Sequence, residues 1–209
     1  MAILKRLSIT SGLLVCGGYF YLHRQLEQQY PNIRSYELPG QSRIAPLLKK
    51  SLPAPGEPYF AYCDTFKQTV VTKLTKEQLT EHILETPALK QLDSQGSSLG
   101  TFTGEVLPSK VNRNSESTLL KWRWSNESIV GFFETLAQYG YPWRMMNGGV
   151  HEILVISTGS DGDSNVYDVY FASAHEYKYL RDGKFIPRWT QTLHRDYGRV
   201  ILNLSTKNV

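Results

Sequence analysis

The last sixty residues, Val150 to Val209, constrain the fold of this chain more than any other stretch. His151 to Ser157 (HEILVIS) is a mostly apolar run with β-branched residues, the length of one buried strand. Gly159 to Asn165 (GSDGDSN) is turn chemistry throughout, since glycine supplies positive φ and Asp and Asn bond their own backbone. Val166 to Ser173 (VYDVYFAS) returns as a second strand. Asp182-Gly183 then turns the chain and Pro187 sets a helix entry. Beyond it Trp189, Leu193, Tyr197, Val200, Ile201 and Leu204 fall at helical spacing. A hairpin feeding an amphipathic terminal helix folds that helix against its own sheet. The expectation is an α+β domain that works as a container.

Upstream, residues 59–209 carry the rest of that domain. Tyr59 to Lys73 is strand-like, as one bent strand or two. Thr75-Lys76-Glu77-Gln78 has the form of a capping box, Leu79 and Ile83 continue it as a helix, and Pro87 ends it. Ala88 to Leu92 reads as a second helical turn. Thr101 to Leu107 and Thr118 to Trp124 alternate as strands. In Ser128 to Tyr139 the apolar residues Ile129, Phe132, Phe133, Leu136 and Ala137 mark a helical face. The segment Gly140 to Met146 that follows is rich in aromatic and sulfur side chains. It reads as ordinary packing, or as a lid or membrane-facing flap built from Phe132, Phe133, Trp143 and Met145.

The beginning of the chain is different. Leu7 to Leu22 is uncharged between Lys5-Arg6 and His23-Arg24. As a helix it is about 24 Å long, against roughly 30 Å of hydrocarbon, with Lys and Arg stems able to snorkel and Tyr19 and Tyr21 placed as an aromatic belt. A retained transmembrane helix over residues 1–24 is expected. A cleaved signal peptide is the rival, with Cys16-Gly17-Gly18 a poor cleavage site. Ser8, Gly12 and Cys16 place small residues every four positions, where two such helices could approach. No acidic residue precedes Glu27 and Ser and Thr are present, which favours a mitochondrial membrane over the endoplasmic reticulum. From 25 to 58, six prolines with Gly40 and Gly56 predict a semi-extended linker, with one short helical turn within Ile44 to Leu52.

The order of strand, short helices, antiparallel strands and long terminal helix resembles the START-like, helix-grip superfamily of lipid-transfer proteins, polyketide cyclases and coenzyme-Q-binding proteins. Tyr59 to Thr72 stands as the opening strand, Lys76 to Leu92 as the helical pair and Pro187 to Asn203 as the gripping helix. Phe171 to Tyr177 and Leu193 to Tyr197 are similar to uncharacterised fungal, membrane-anchored members. The chain departs from the pattern in showing five or six strands where seven are usual, and in the extra helix Ser128 to Tyr139. The resemblance implies a curved antiparallel sheet wrapped around the C-terminal helix, with an apolar cavity between them. Its lining candidates are Trp122, Trp124, Tyr170, Trp189, Leu193 and Tyr197, with His175 or Arg123 orienting a ligand head.

Other chemistries are poorly represented. The net charge is +4, with Lys and Arg scattered, which leaves no nucleic-acid footprint. Cys16 and Cys63 make no disulfide framework. Asp161, Asp163 and Asn165 mimic the start of a calcium loop, but Val166 and Ala172 stand where Gly and Glu are required, so a hairpin turn is expected. His151, His175 and His194 each stand near an acid, but no metal-binding spacing joins them, and His194 and Asp196 lie off the apolar stripe as a solvated face would. No GxSxG elbow or phosphate-cradling glycine motif occurs. The sequence therefore predicts membrane-anchored binding or transfer of an apolar molecule, a lipid or a quinone, with no cofactor and no metal. The alternatives are a scaffold that docks a partner through residues 139–146, and a cyclase-like enzyme using His175 or Asp168.

Overall fold

A computed structural model describes residues 2–48, 59–87, 89, 102–107, 117–124, 127–177, 183–207 and 209, with backbone alone for 2–15 and 102–107. Its sheet is built on the hairpin of β4 (Gly148–Asp161) and β5 (Ser164–Tyr177). Pairing runs from Gly148 opposite Glu176 to Asp161 opposite Ser164, so Gly162 and Asp163 alone make the turn. Gly162 sits at φ +59°, where a Cβ would be strained. The turn is shorter than the sequence suggests, because Gly159 to Asp161 stay in the ladder after an irregularity at Ser157. There the side chains are exposed and backbone pairing alone decides.

β1 (Tyr59–Thr72) pairs with β5, and β3 (Ser117–Trp124) joins β4 to the edge strand β2 (Phe102–Leu107). The sheet is antiparallel throughout, in the order β1-β5-β4-β3-β2. The fold is thus α+β, as expected, and β1 is one strand irregular between Phe60 and Cys63.

One face of the sheet carries the main core. Phe66, Val70, Leu120, Ile153, Val155, Val169 and Phe171 pack there against Ile201 and Leu202 of the C-terminal helix α5 (Arg188–Thr206). Leu79 and Ile83 join them from α3 (Lys76–Leu84), whose Thr75–Gln78 capping box forms as read from the sequence. Ala88 and most of the turn expected up to Leu92 lie outside the described residues. The terminal helix lies close to the sheet. A Cβ added at Gly198 would stand 2.9 Å from the Phe66 ring and 3.1 Å from that of Phe171.

The N-terminal region departs from expectation. The helix α1 (Ala2–Gln29) does not stop near residue 24, and no helix among the described residues is long and apolar enough to cross a membrane. Its last turns are clipped to α5 by polar contacts. The Asp196 carboxylate accepts from the Tyr19 hydroxyl (2.8 Å), His23 Nδ1 (2.8 Å) and Arg199 Nη1 (2.9 Å). Arg199 Nε donates to the Tyr30 carbonyl, and the Tyr30 hydroxyl donates to Asn203. These contacts advance together along both helices, which therefore run parallel.

Residues 25–48 likewise do not form a semi-extended spacer. Leu26, Tyr30 and Ile44 are buried, and the only helical turn expected there appears as α2 (Ala45–Leu48). The fastening is Glu152 on the second face of the sheet. Its buried carboxylate accepts from Ser42 Oγ and the backbone N–H of Arg43, both at 2.6 Å, and from Ser117 Oγ. Prolines limit residues 30–48 to short turns without keeping them off the domain. Cys16 and Cys63 are unpaired, as expected.

Candidate functional site

Between the sheet and the first half of α5 lies a cluster of buried and half-buried rings. Trp122 of β3, His151 of β4, Tyr62 of β1 and His175 of β5 share the face that α5 covers, and His194 comes down from the helix. His151 stacks between Trp122 and Phe171, with centroids 5.9 and 5.3 Å away. His175 lies 4.4 Å from the His194 ring and 4.7 Å from that of Tyr62. Gly149 makes this possible, because a Cβ there would meet the Trp122 indole at 2.7 Å.

The imidazoles are neutral at pH 7. Burial, aided by repulsion from His194, drives His151 down to about 3. His175 is held well below its ordinary value by burial and then by His194 and His151, and burial lowers His194 as well. Both His175 nitrogens lack a hydrogen-bond partner among the described residues. Beside them burial pushes the Asp64 carboxyl up, against the pull of Arg195, whose Nε lies 3.0 Å away. Burial raises the Cys63 thiol, on the other face, to about 12, which leaves it unreactive. No group of three His, Cys, Asp or Glu side chains among the described residues could hold a metal ion. The ring cluster fills the seam with flat side chains.

The expected cavity residues are divided by this arrangement. His175 and Trp122 do face the seam. Trp124 is half-buried at the end of the sheet, its indole N–H donating to the Met146 carbonyl. Tyr170 points to the opposite face, under Lys67. Trp189, Leu193 and Tyr197 are 62, 45 and 44 % exposed, on the side of α5 away from the sheet. The residues that actually meet the sheet are displaced around the helix, to Gly198, Arg199, Ile201 and Leu202. Of His194 and Asp196, both expected in solvent, His194 is half-buried against His175 and Asp196 is buried against α1. Asp168 accepts from Thr69 and Lys67 far from the ring cluster.

The open space lies on the other face. α4 (Ser128–Gln138) stands off the sheet and roofs a cavity of about 540 Å³. Its floor is Lys121 and Arg123 of β3, Gly148 of β4 and Glu176 of β5, and its roof is Glu127, Val130, Gly131, Glu134 and Gln138. Arg144 closes one side and is ion-paired with Glu134. The lid candidates take no part in the lining. Phe132 is exposed, while Phe133, Trp143 and Met145 are half-buried, in an aromatic chain running from Phe133 through Tyr141 to Trp143 and in the packing around Met146. The segment 140–146 is a packed connection, with Met146 buried against Trp122, Tyr177 and Ile186.

Sequence reasoning passed over this cavity because it followed apolar side chains. A signal was present all the same. Glu127, Gly131, Glu134 and Gln138 form a polar and small stripe at helical spacing beside the apolar one. In Lys121-Trp122-Arg123-Trp124 the charges alternate with the rings, which puts both cations on one face. No family model matches this chain, and no curated protein sequence matches it.

Proposed function

We propose that this protein is a membrane-associated, non-covalent binding domain of helix-grip type that takes a small amphipathic or polar molecule into the cavity beneath α4. The observation that carries this reading is the cavity itself. Its volume of about 540 Å³ lies in the range of small-molecule sites, and convergent charged groups surround a short apolar wall. The helix-grip assignment is supported by β1 pairing with β5 while α5 crosses both. The wholly apolar ligand expected in the seam is disfavoured by the contact of Gly198 with Phe66 and Phe171 and by the ring cluster. Membrane association is supported by exposed Phe20, Tyr21 and Leu22 on α1 and by Trp189 and Tyr197 on α5. Aromatic side chains of this kind favour the headgroup region.

The test is native mass spectrometry of the full chain. Gly131 lines the cavity and a Cβ there meets nothing within 4 Å, so Gly131→Trp introduces an indole without breaking a contact. A bound small molecule should be present in the wild type and in Gly131→Ala, and lost in Gly131→Trp. Retention in Gly131→Trp, or no bound mass in any form, refutes the reading.

A second reading, docking of a partner protein, is favoured by one observation. Trp189, Leu193, Tyr197 and Leu204 form an exposed apolar stripe on α5, whereas of the segment 139–146 only Tyr139, Gly140 and Pro142 are exposed. Trp189→Ser with Leu193→Ser should then abolish partner capture and leave ligand loading unchanged.

A further inference from the structure

We infer, on the reading that the cavity under α4 is the ligand site, that its occupant is a small zwitterion. Its ammonium group faces Glu176 and its anion, a phosphate or carboxylate, faces Lys121 and Arg123. The argument starts from register. Arg123 is the cross-strand partner of Gly148, and Gly148 is that of Glu176. One cation and one anion thus stand at the same level on one face, two strand spacings or about 10 Å apart along the backbone. The residue between them has no side chain. It can have none, because a Cβ at Gly148 would lie 2.4 Å from the Trp122 carbonyl oxygen and 3.2 Å from the Arg123 Cα.

Lys121 lies two residues before Arg123 on the same strand face and gives the cationic end a second group. Overhead, Arg144 and Glu134 neutralise each other. The lining therefore holds Lys121, Arg123 and Arg144 against Glu127, Glu134 and Glu176, three basic and three acidic side chains. A simple anion or a simple cation would meet repulsion as well as attraction in such a cavity. An uncharged apolar molecule would strip water from six ionised groups and offer nothing back. A molecule carrying both charges a few bonds apart satisfies both ends across the bare glycine floor. The same chemistry is offered by a free amino-phosphate and by an ethanolamine-type lipid headgroup.

Isothermal titration of the full chain with phosphoethanolamine, inorganic phosphate and ethanolamine tests this. Phosphoethanolamine should bind at least tenfold more tightly than either half. Glu176→Gln should weaken phosphoethanolamine at least tenfold while phosphate binds as well as before or better, since a repelling carboxylate is gone, which a collapsed site would not do. Lys121→Met should weaken both. Phosphate binding as tightly as the zwitterion, or an indifferent Glu176→Gln, overturns the proposal. So does phosphoethanolamine binding that survives Gly131→Trp. Competition by phosphatidylethanolamine vesicles but not phosphatidylglycerol vesicles would identify a lipid headgroup as the source. Absence of such competition would identify the free solute, and either result upholds the zwitterion. If none of the three solutes binds while Gly131→Trp still expels a co-purified molecule, the zwitterion falls and the cavity reading stands.

Discussion

Acid should loosen this domain through its buried imidazoles, and His151 permits the effect to be worked out in advance. The ring lies between Trp122 and Phe171 with its Nδ1 unpartnered among the described residues, and burial holds it at about 3. In the unfolded chain a histidine titrates near 6.5. Between those values the unfolded state binds a proton that the folded state does not, so stability falls as the pH drops through the window and is intact above it. From pH 7.5 to pH 5.0 the imbalance amounts to about 1.5 units, or about 2 kcal/mol for this one residue.

The perturbation is His151→Phe, which keeps a flat ring between Trp122 and Phe171 and removes both the titration and the orphaned nitrogen. Urea unfolding of both proteins at pH 7.5 and pH 5.0 gives the result. At pH 7.5 the variant should be within about 1 kcal/mol of the wild type, since it loses no partnered hydrogen bond at Nδ1. On going to pH 5.0 it should lose about 2 kcal/mol less than the wild type. With an m of about 2 kcal/mol/M that is about 1 M urea in the difference of midpoints. Other titrating groups cancel in this comparison, except His194 and His175, which His151 touches electrostatically. Equal losses in the two proteins would refute the buried, neutral imidazole and with it the close packing of the seam.

Three further outcomes follow from the packing of the two glycines and of Glu152. Gly131→Ala should raise stability by about 1 kcal/mol, since the site is helical and its added methyl meets nothing, and scanning calorimetry should show the midpoint rising by a few degrees. Gly198→Ala should lower it by about 1–2 kcal/mol despite the same gain in helix propensity, because the methyl would press on Phe66 and Phe171, and a stabilised variant would mean that α5 rides higher on the sheet. Glu152→Gln should cost about 2–4 kcal/mol, since an amide cannot accept from Ser42, Ser117 and the Arg43 N–H together, and limited proteolysis should then cut around residues 42–48 first.

What was legible in the sequence follows from how each signal arises. Strand alternation and the Thr75–Gln78 capping box are local, so the sheet strands and α3 could be read directly. The face of α5 could not, because its apolar residues spread around the helix and two surfaces compete for them. Ile201 and Leu202 go to the sheet, while Trp189, Leu193 and Tyr197 are left outside by Gly198, whose missing side chain sets which way the helix turns. Arg199 is the sharper case. A guanidinium reads as a solvent marker, yet here it is buried because Asp196, the Tyr30 carbonyl and the Phe66 ring surround it, and two of these lie more than a hundred residues away. The same dependence on distant partners hid the cavity. Its charges come from β3, β5, α4 and the loop before β4, each unremarkable alone, and only the register of Arg123, Gly148 and Glu176 sets them around one space. A binding site made of opposed charges is thus harder to see in a sequence than one made of apolar side chains, because it leaves no run and no period in any single element.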